Sequence, residues 1–406
     1  MNVDNEKFME MALRLARRGI SSVEPNPAVG AIIIKANQII GRGWHKKFGG
    51  PHAEINALVD CQSLGVTPKG ATMYVTLEPC SHKGKTGPCT QAIISAGISK
   101  VFVAMTDPSG HANGKGIEQL RQAGIEVHTG LCEEKARLLN APYVKYVTTG
   151  KCWVTLKWAQ SIDGKVAWAD GIDERRWISN EQSRRDVHKL RRRTQAILVG
   201  INTIIADDPL LTARPNKGRI ATRIVMDTYL KIPPDCQLLT TVNQSPVIIF
   251  TSQNSIQEKP DVAEELLTKG IELLSYPNTG RSNLHFLIAV LSNRGISQLL
   301  VEGGPTVLTS FLRENLADEI IVYIAPKILG PQSSVGITGP MAELSQAVGL
   351  YNVEVDRLGD NVRFRGLTEK AMDEISSVAE NDLEICTVSE SANEQKAGSQ
   401  TGGRET

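Results

Sequence analysis

Four residues in the first quarter of the chain have types and an order suited to metal-assisted hydrolysis. His52 and Glu54 are two residues apart, and Cys80 and Cys89 follow, each directly after a proline. One histidine and two cysteines can supply three ligands to a zinc ion, which leaves the fourth position open for water. Zinc held in this way makes hydroxide available near neutral pH. Glu54 is placed to reach that water without binding the metal itself.

Each of these residues alone is weak evidence for a metal site, because a lone cysteine usually serves as a small apolar side chain. Together, the order His-x-Glu and then Pro-Cys is typical of zinc-dependent nucleobase deaminases. Those proteins usually continue as Pro-Cys-x-x-Cys, whereas eight residues separate Cys80 from Cys89 here. The inserted segment 81–86 is polar and basic, and it is interpreted either as a solvated turn or as a lip that contacts a substrate phosphate.

The elements around these residues are predicted to alternate between strand and helix. An amphipathic helix is predicted up to Arg18, a hairpin over 28–34 and 38–44, and a helix that begins at His52. Further strands are predicted at 71–77, 101–105 and 125–129, with helices at 90–96, 117–123 and 133–146. This alternation indicates an α/β sheet covered by helices.

A second α/β series begins after a boundary near Gly150. Strands are predicted at 153–160, 196–200, 223–227, 247–250, 271–275, 298–302 and 319–325, helices at 181–193, 261–269, 284–294 and 305–314, and a hairpin over 351–367. From Ala371 onward the chain is acidic and lacks aromatic residues, which predicts a mostly disordered tail. The predicted division is therefore a first domain at 1–149, a second at 150–370 and a tail at 371–406.

Composition excludes several classes of partner. Lys and Arg number 45 and Asp and Glu number 44, so no basic field is available to hold a nucleic-acid backbone. No apolar run reaches the length of a membrane span. The seven cysteines are irregularly spaced and two have metal-site spacing, which indicates a reducing compartment. Because the N-terminal helix also lacks the features of a signal peptide, a cytoplasmic location is expected.

Longer motifs resemble those of a known family. They are Pro25-Asn26-Pro27-x-Val29-Gly30, Gly49-x-Pro51-His52-Ala53-Glu54 and Leu77-Glu78-Pro79-Cys80, then segments 161–165, 177–179, 184–186 and 206–214, and Val301-Glu302-Gly303-Gly304. Through them residues 5–367 resemble the bacterial bifunctional riboflavin-biosynthesis deaminase/reductase family. The eight-residue spacer before Cys89 is part of that family's pattern.

The resemblance implies a cytidine-deaminase-like α/β/α sandwich followed by a dihydrofolate-reductase-like α/β domain. It implies two consecutive reactions on a small phosphoribosyl pyrimidine. The first is the hydrolytic deamination of 2,5-diamino-6-(5-phosphoribosylamino)pyrimidin-4-one, with one zinc per chain. The second is the NADPH-dependent reduction of the ribosyl side chain to ribityl. A homo-oligomer without nucleic-acid or membrane partners is expected.

The metal-site pattern and the family resemblance assign expected roles to specific residues. His52, Cys80 and Cys89 are expected to bind zinc, and Glu54 to transfer protons. In the second domain, Lys157 and Asp207 are expected to assist hydride addition to an imine or, with equal weight, to form a structural ion pair. The resemblance places four residues at the substrate: Arg191, Leu211, Arg214 and Glu302. It places the following at the dinucleotide: Ala159, Trp177, Thr203, Asp207, Thr228, Gly304, Pro305, Thr306, Val307, Leu308, Thr309 and Ser310.

Two loops depart from the family pattern. Asp107-Pro108 is followed by Ser109-Gly110 where the family usually has Asn-Pro. The loop before Trp177 is longer than usual and offers Arg175 where the family tends to have a small hydroxyl residue. Contacts of these two loops with substrate are therefore not carried over from the family.

Two other functions share parts of the pattern. A nucleic-acid base deaminase uses the same zinc motif, although the near-neutral charge and the lack of a basic, aromatic-rich strand argue against it. A single-activity deaminase whose second domain serves as a scaffold is the other alternative. Binding of tRNA distinguishes the first, and cofactor binding by the second domain distinguishes the second.

Overall fold

The structure is a computed structural model that describes residues 3–81, 87–110, 112–166, 177–214, 220–277, 283–330 and 347–376. Two separate sheets organise these residues, one built from strands between Gly30 and Thr129 and the other from strands between Trp153 and Thr368. Among the described residues, no helix is both long and apolar enough to span a bilayer.

The first sheet has five strands in the order β2-β1-β3-β4-β5. These are β1 (Gly30–Lys35), β2 (Gln38–Trp44), β3 (Thr72–Val75), β4 (Lys100–Val103) and β5 (Glu126–Thr129). β1 is antiparallel to β2 and β3, and β3, β4 and β5 run parallel. The helices are α1 (Val3–Ala16), α2 (Ala53–Ser63), α3 (Cys89–Ser95), α4 (Lys115–Gln122), α5 (Glu133–Leu139) and α6 (Ala141–Thr149), with a short 3-10 turn at Arg17–Gly19.

Two glycines allow helices to pack closely on the two faces of this sheet. A Cβ atom on Gly30 would lie 2.0 Å from the carbonyl oxygen of Ala12 in α1, and one on Gly43 would lie 2.1 Å from that of Ala53 in α2. The cross-strand partner of Gly43 is the residue after Gly30. Because successive strand residues face opposite sides, α1 and α2 cover opposite faces. The predicted α/β/α sandwich is confirmed, and α2 begins immediately after His52.

The second sheet has nine strands in the order β10-β9-β8-β7-β11-β6-β12-β14-β13. These are β6 (Trp153–Ser161), β7 (Ala196–Gly200), β8 (Thr222–Met226), β9 (Val247–Ser252), β10 (Glu272–Tyr276), β11 (Gln298–Val301), β12 (Glu319–Ala325), β13 (Leu350–Leu358) and β14 (Asn361–Thr368). The strands from β10 to β12 run parallel, and β14 and β13 form an antiparallel hairpin at the edge. The carboxyl ends of the parallel strands therefore share one edge of the sheet.

The helices of the second domain are α7 (Glu181–Arg193), α8 (Ile201–Asp207), α9 (Gln237–Thr240), α10 (Gln253–Glu258), α11 (Pro260–Thr268), α12 (Leu284–Asn293) and α13 (Pro305–Arg313). The sequence pattern did not predict α8, α9 or α10. Each has seven residues or fewer, and so small a number of turns carries no readable helical period.

The single helix predicted over 133–146 is in fact two helices. The chain breaks at Asn140, whose side chain accepts from the backbone nitrogen of Ala28 at 2.8 Å and donates to its carbonyl oxygen at 3.0 Å. Pro142 then lies in the first turn of α6, where its missing N–H is no loss. The break results from a contact between residues 112 positions apart, which local periodicity does not report.

The predicted start of the tail at Ala371 is too early. Residues 369–376 are helical, and Ala371 and Ile375 are buried against Trp153 and Ala141. Ala371 and Ile375 are four residues apart and therefore lie on one helix face. Two apolar residues are too few to give a readable helical pattern within an acidic segment. The remainder of the predicted tail, 377–406, lies outside the described residues.

A buried charge cluster joins the two domains. The ammonium group of Lys145 in α6 lies 2.6 Å from the carboxylate of Asp318, and their side chains are 2% and 0% exposed. Asp318 also accepts from the backbone nitrogen of Val154 at 2.7 Å and pairs with Lys370 at 3.2 Å. Glu374 in the C-terminal helical segment contacts Lys145 at 3.2 Å. Because the Lys145 and Asp318 side chains are both buried, removing one of their partners would leave a buried charge uncompensated, which is strongly destabilising.

We expect truncation after Lys370 to lower the unfolding temperature by a few degrees. The truncation removes the buried Ile375, worth roughly 1.5–3 kcal/mol, and the Glu374 carboxylate that contacts Lys145. Truncation after Ser376 is the matched control and should unfold like the full chain. Thermal unfolding followed by circular dichroism makes the comparison, and equal midpoints for the two truncations would contradict the docking of this segment.

Candidate active site

Three potential metal ligands converge at one end of the first sheet. His52 caps the start of α2, Cys80 lies in the loop after β3, and Cys89 is the first residue of α3. The Nδ1 atom of His52 lies 3.6 Å from Sγ of Cys80 and 3.4 Å from Sγ of Cys89. Among the described residues, this is the only group of three or more such side chains with ligand atoms within 4.8 Å of one another.

These distances fit a tetrahedral zinc site. With Zn–S of about 2.3 Å and Zn–N of about 2.0 Å, tetrahedral geometry places sulfur and nitrogen about 3.5 Å apart. The two observed separations, 3.4 and 3.6 Å, lie on either side of that value. Three protein ligands leave one position for a water or substrate atom, as catalytic zinc sites do. The residues present therefore fit a catalytic zinc rather than a closed structural one.

The two thiols differ in how readily they form the thiolate that binds a metal. A hydrogen bond from Cys89, together with the neighbouring His52, lowers the pKa of Cys80 to about 4 against the opposing effect of burial. The backbone nitrogen of Cys89, at the start of α3, also donates to Sγ of Cys80 at 3.4 Å. Cys89 keeps its proton in this pair, and metal binding displaces such a proton because the thiolate is the ligand form.

Glu54 lies in the first turn of α2, two residues after His52, and is only 3% exposed. Its Oε2 atom is buried and has no hydrogen-bond partner among the described residues. Burial raises the pKa of Glu54 to about 7, and a cation at the adjacent ligands would lower it again. The arrangement leaves a carboxylate oxygen beside the metal ligands that is not committed to any protein group.

A second histidine, not predicted as a site residue from the sequence, packs beside His52. His45 is buried, and its ring lies edge-on to that of His52 with centroids 5.3 Å apart. Its Nδ1 lies 3.1 Å from the carbonyl oxygen of Pro51, and its Nε2 lies 3.4 Å from the side-chain nitrogen of Asn26. Burial lowers the pKa of His45, which favours a neutral ring that donates to Pro51. Asn26 belongs to the Pro-Asn-Pro motif, and this motif was the sequence signal that could have pointed to His45.

In the second domain, Glu302 is the centre of a charged cluster. It follows β11 and contacts Arg191 through two hydrogen bonds of 2.7 and 3.0 Å, and Lys157 at 3.4 Å. Burial alone would raise the pKa of Glu302, but the charges of Arg191 and Lys157 hold it at about 2. Lys157 thus forms an ion pair with Glu302. The Arg191 guanidinium, expected at the substrate, is engaged by the same carboxylate.

The residues expected at the dinucleotide lie along the carboxyl edge of the second sheet. Ala159 is near the end of β6, Thr203 lies in α8 after β7, and Thr228 and Gly304 follow β8 and β11. The hydroxyl of Thr203 would lie 3.9 Å from a Cβ atom on Gly304, with no other atom within 4 Å. The space before α13 is therefore open where a helix N-terminus favours phosphate, and these residues fit a dinucleotide.

Other expected site residues differ in what they can offer a ligand. The side chains of Val307, Leu308 and Leu211 are buried in the core, so only their backbone can face a ligand. Trp177, which is 50% exposed, and Arg214 are open to solvent. The remaining expected residues are partly or fully exposed, namely Asp207, Pro305, Thr306, Thr309 and Ser310. Arg175 and most of the inserted segment, 82–86, lie outside the described residues.

Comparison with known proteins covers both domains. The family described as the cytidine and deoxycytidylate deaminase zinc-binding region matches residues 2–105, and the RibD C-terminal domain matches residues 152–363. The riboflavin biosynthesis protein RibD of Aquifex aeolicus is 42% identical over 360 residues, which cover 88% of this chain and 97% of that protein. The chain belongs to the RibD family. Escherichia coli RibD is 37% identical over 89% of this chain and 98% of its own.

Solved structures of RibD family members have the same fold over most of the chain. Acinetobacter baumannii RibD has a TM-score of 0.77 and 35% identity, covering 90% of this chain and 99% of its own. The deaminase/reductase of Thermotoga maritima has a TM-score of 0.75 and 34% identity, covering 89% and 99%. This RibD-family chain is therefore a bifunctional deaminase and reductase of riboflavin biosynthesis that uses zinc and NADPH. The nucleic-acid and scaffold alternatives are set aside.

We expect Arg191→Leu to lower the free energy of unfolding and Arg214→Leu to leave it nearly unchanged. Arg191→Leu leaves the buried Glu302 carboxylate with one cation fewer, and breaking such a pair costs about 3–5 kcal/mol. Arg214 is exposed, so its replacement should change the free energy of unfolding by less than about 0.5 kcal/mol. Denaturant unfolding followed by tryptophan fluorescence makes the comparison. Equal stability of the two variants would show that the Arg191–Glu302 pair has no structural role.

Proposed function

We propose that the chain deaminates 2,5-diamino-6-(5-phosphoribosylamino)pyrimidin-4-one and then reduces the ribosyl side chain of the product to ribityl. The relative from Thermotoga maritima, a diaminohydroxyphosphoribosylaminopyrimidine deaminase and 5-amino-6-(5-phosphoribosylamino)uracil reductase, supports this choice of substrates. The observation that carries the first reaction is the convergence of His52, Cys80 and Cys89 with zinc-like separations beside a buried carboxylate.

In the deaminase site, His52, Cys80 and Cys89 would hold the zinc. When bound there, zinc supplies Lewis acidity that activates a water molecule near neutral pH. Glu54 takes one proton from the attacking water and gives it to the ring nitrogen. It then takes the second proton from the new hydroxyl group on the reacting carbon and gives it to the amine, which leaves as ammonia. The burial of Glu54, and the absence of a hydrogen-bond partner for its Oε2 among the described residues, support this role, because that oxygen is available to exchange a proton with water held at the metal.

In the reductase site, the open edge around Thr203, Thr228 and Gly304 would hold NADPH, which supplies hydride. Lys157 and Asp207 are proposed to assist protonation of the imine nitrogen. The exposed guanidinium of Arg214 is proposed to bind the substrate phosphate, while Arg191 orients the Glu302 carboxylate at the base of the site. The bonds from Arg191 and Lys157 to Glu302 support this division of roles.

We also propose domain limits, an assembly and a location. The deaminase domain spans 1–149 and the reductase domain 150–376.

On the edge strand β13, the side chains of Tyr351, Val353 and Val355 are 45–58% exposed. An exposed apolar edge favours pairing with a second copy of the chain. A homo-oligomer should sediment as such, and Val355→Lys should shift it toward monomer; a wild-type monomer would contradict the proposal. The thiolate ligands support a reducing, cytoplasmic location.

Two substitutions separate metal binding from proton transfer in the deaminase. Cys89→Ala should lose zinc and deamination together, because it removes one of only three ligands. Glu54→Gln should keep zinc yet lower the deamination rate by several orders of magnitude, because the amide cannot carry the proton. Metal analysis and turnover measure the two effects. Full zinc occupancy in Cys89→Ala, or near wild-type turnover in Glu54→Gln, would contradict the assignments.

The reductase should respond to a different substitution. Asp207→Ala should slow the oxidation of NADPH with substrate that is already deaminated, and it should leave deamination unchanged. Glu54→Gln provides the converse control, since it should reduce that substrate normally. Unchanged NADPH oxidation in Asp207→Ala would remove Asp207 from the reductase site.

A further inference from the structure

Glu78 is a buried carboxylate two residues before the expected ligand Cys80. It is 4% exposed, and backbone N–H groups donate to both of its oxygens. Oε2 accepts from Asp107 at 3.1 Å and from Gly114 at 2.9 Å. Oε1 accepts from Gly116 at 2.7 Å and from Ile117 at 3.4 Å. A single side chain therefore organises the backbone from the loop after β4 to the first turn of α4.

The start of α4 is also packed tightly against the ligand-bearing loop. A Cβ atom on Gly116 would lie 2.0 Å from the carbonyl oxygen of Pro79, so only glycine allows this approach. On the next turn of α4, Gln119 accepts from the hydroxyl of Thr90 at 2.6 Å. Because Thr90 follows Cys89, α4 contacts the chain beside both cysteines, one through Glu78 and the other through Thr90.

We infer that Glu78 is a positioning residue for the metal centre. By receiving four N–H groups, it fixes the loop that carries Cys80 against α4, and so fixes the distance of Cys80 from His52. Glu78 does not act on substrate, since its oxygens are already committed to the backbone. The inference rests on the proposed ligand set, and groups that orient metal ligands commonly change metal affinity by about 10–100-fold when they are lost.

The four-donor arrangement requires a carboxylate rather than an amide. A glutamine has one acceptor oxygen, which can serve two of the N–H groups. Its NH2 group would face the other two, and donors that face donors leave buried polar groups unsatisfied. Glu78→Gln therefore keeps the shape of the side chain but replaces one of its two acceptor oxygens with a donor.

The test compares Glu78→Gln with Glu118→Gln in the full-length chain. Glu118 lies on the exposed face of α4, and among the described residues its carboxylate accepts a hydrogen bond only from the side chain of Gln122, at 2.8 Å, so it is a matched control. Zinc affinity is measured by competition with a chromogenic chelator, and the Co²⁺-substituted protein is examined by absorption spectroscopy, which reports tetrahedral thiolate coordination. NADPH oxidation with deaminated substrate verifies that the second domain is folded.

We expect Glu78→Gln to bind zinc about 10–100-fold more weakly and to show altered cobalt bands, with NADPH oxidation unchanged. Glu118→Gln should match the wild type in all three measurements. Wild-type zinc affinity and cobalt bands in folded Glu78→Gln overturn the inference. Equal losses in both variants also overturn it.

Two further measurements keep the inference testable. If Glu78→Gln does not fold, Glu78→Asp is measured instead; it keeps both oxygens but is one methylene shorter, so its zinc affinity should fall as well. Wild-type affinity in folded Glu78→Asp overturns the inference. Failure of the wild type to bind zinc, or retention of zinc by Cys80→Ser, contradicts the proposed ligand set instead.

Discussion

The convergence of three ligand atoms from three separate elements is the constraint on which the first domain depends. His52 comes from the start of α2, Cys89 from the start of α3, and Cys80 from the loop between them. A tetrahedral metal tolerates errors of only a few tenths of an ångström at each ligand. The close packing at Gly43 and Gly116 serves this requirement, because each glycine lets a ligand-bearing segment approach its neighbour without a side chain between them.

The second domain meets a different requirement, which is to hold a buried negative charge at the carboxyl edge of its sheet. Glu302 is nearly buried, and its charge is maintained by Arg191 and Lys157. Hydride transfer to an imine needs surroundings that exclude water, whereas hydrolysis needs water at the metal. Two sheets with separate sites satisfy both conditions in one chain. The buried Lys145–Asp318 pair joins the two domains.

The features of the fold that depend on local sequence patterns, such as periodicity and motif order, were predicted from the sequence. The bounds of α7 match the predicted 181–193, the edge hairpin lies where it was predicted, and His52 stands at a helix start. Motif order predicted His52, Cys80 and Cys89 as metal ligands, and the structure brings their ligand atoms within 4.8 Å of one another. The family resemblance, not periodicity, supplied the two reactions and the cofactor NADPH.

The features that escaped prediction depend on contacts between distant parts of the chain. The break at Asn140 results from its bonds to Ala28, and the C-terminal helical segment is held by burial against Trp153. That Arg191 points at Glu302 rather than into solvent is a fact of tertiary structure. Glu78 was visible in its motif, but its role depends on four N–H groups that lie 29 to 39 residues away in sequence.

We propose that one chain contains two chemically independent sites, of which only the first uses metal. A direct test removes zinc from the full-length protein with a chelator and assays both reactions before and after zinc is restored. Deamination should disappear and return with zinc, while NADPH-dependent reduction of deaminated substrate should continue throughout. Deamination that survives in the metal-depleted protein, or reduction that is lost with the metal and returns with it, would contradict the assignment of zinc to the first site alone.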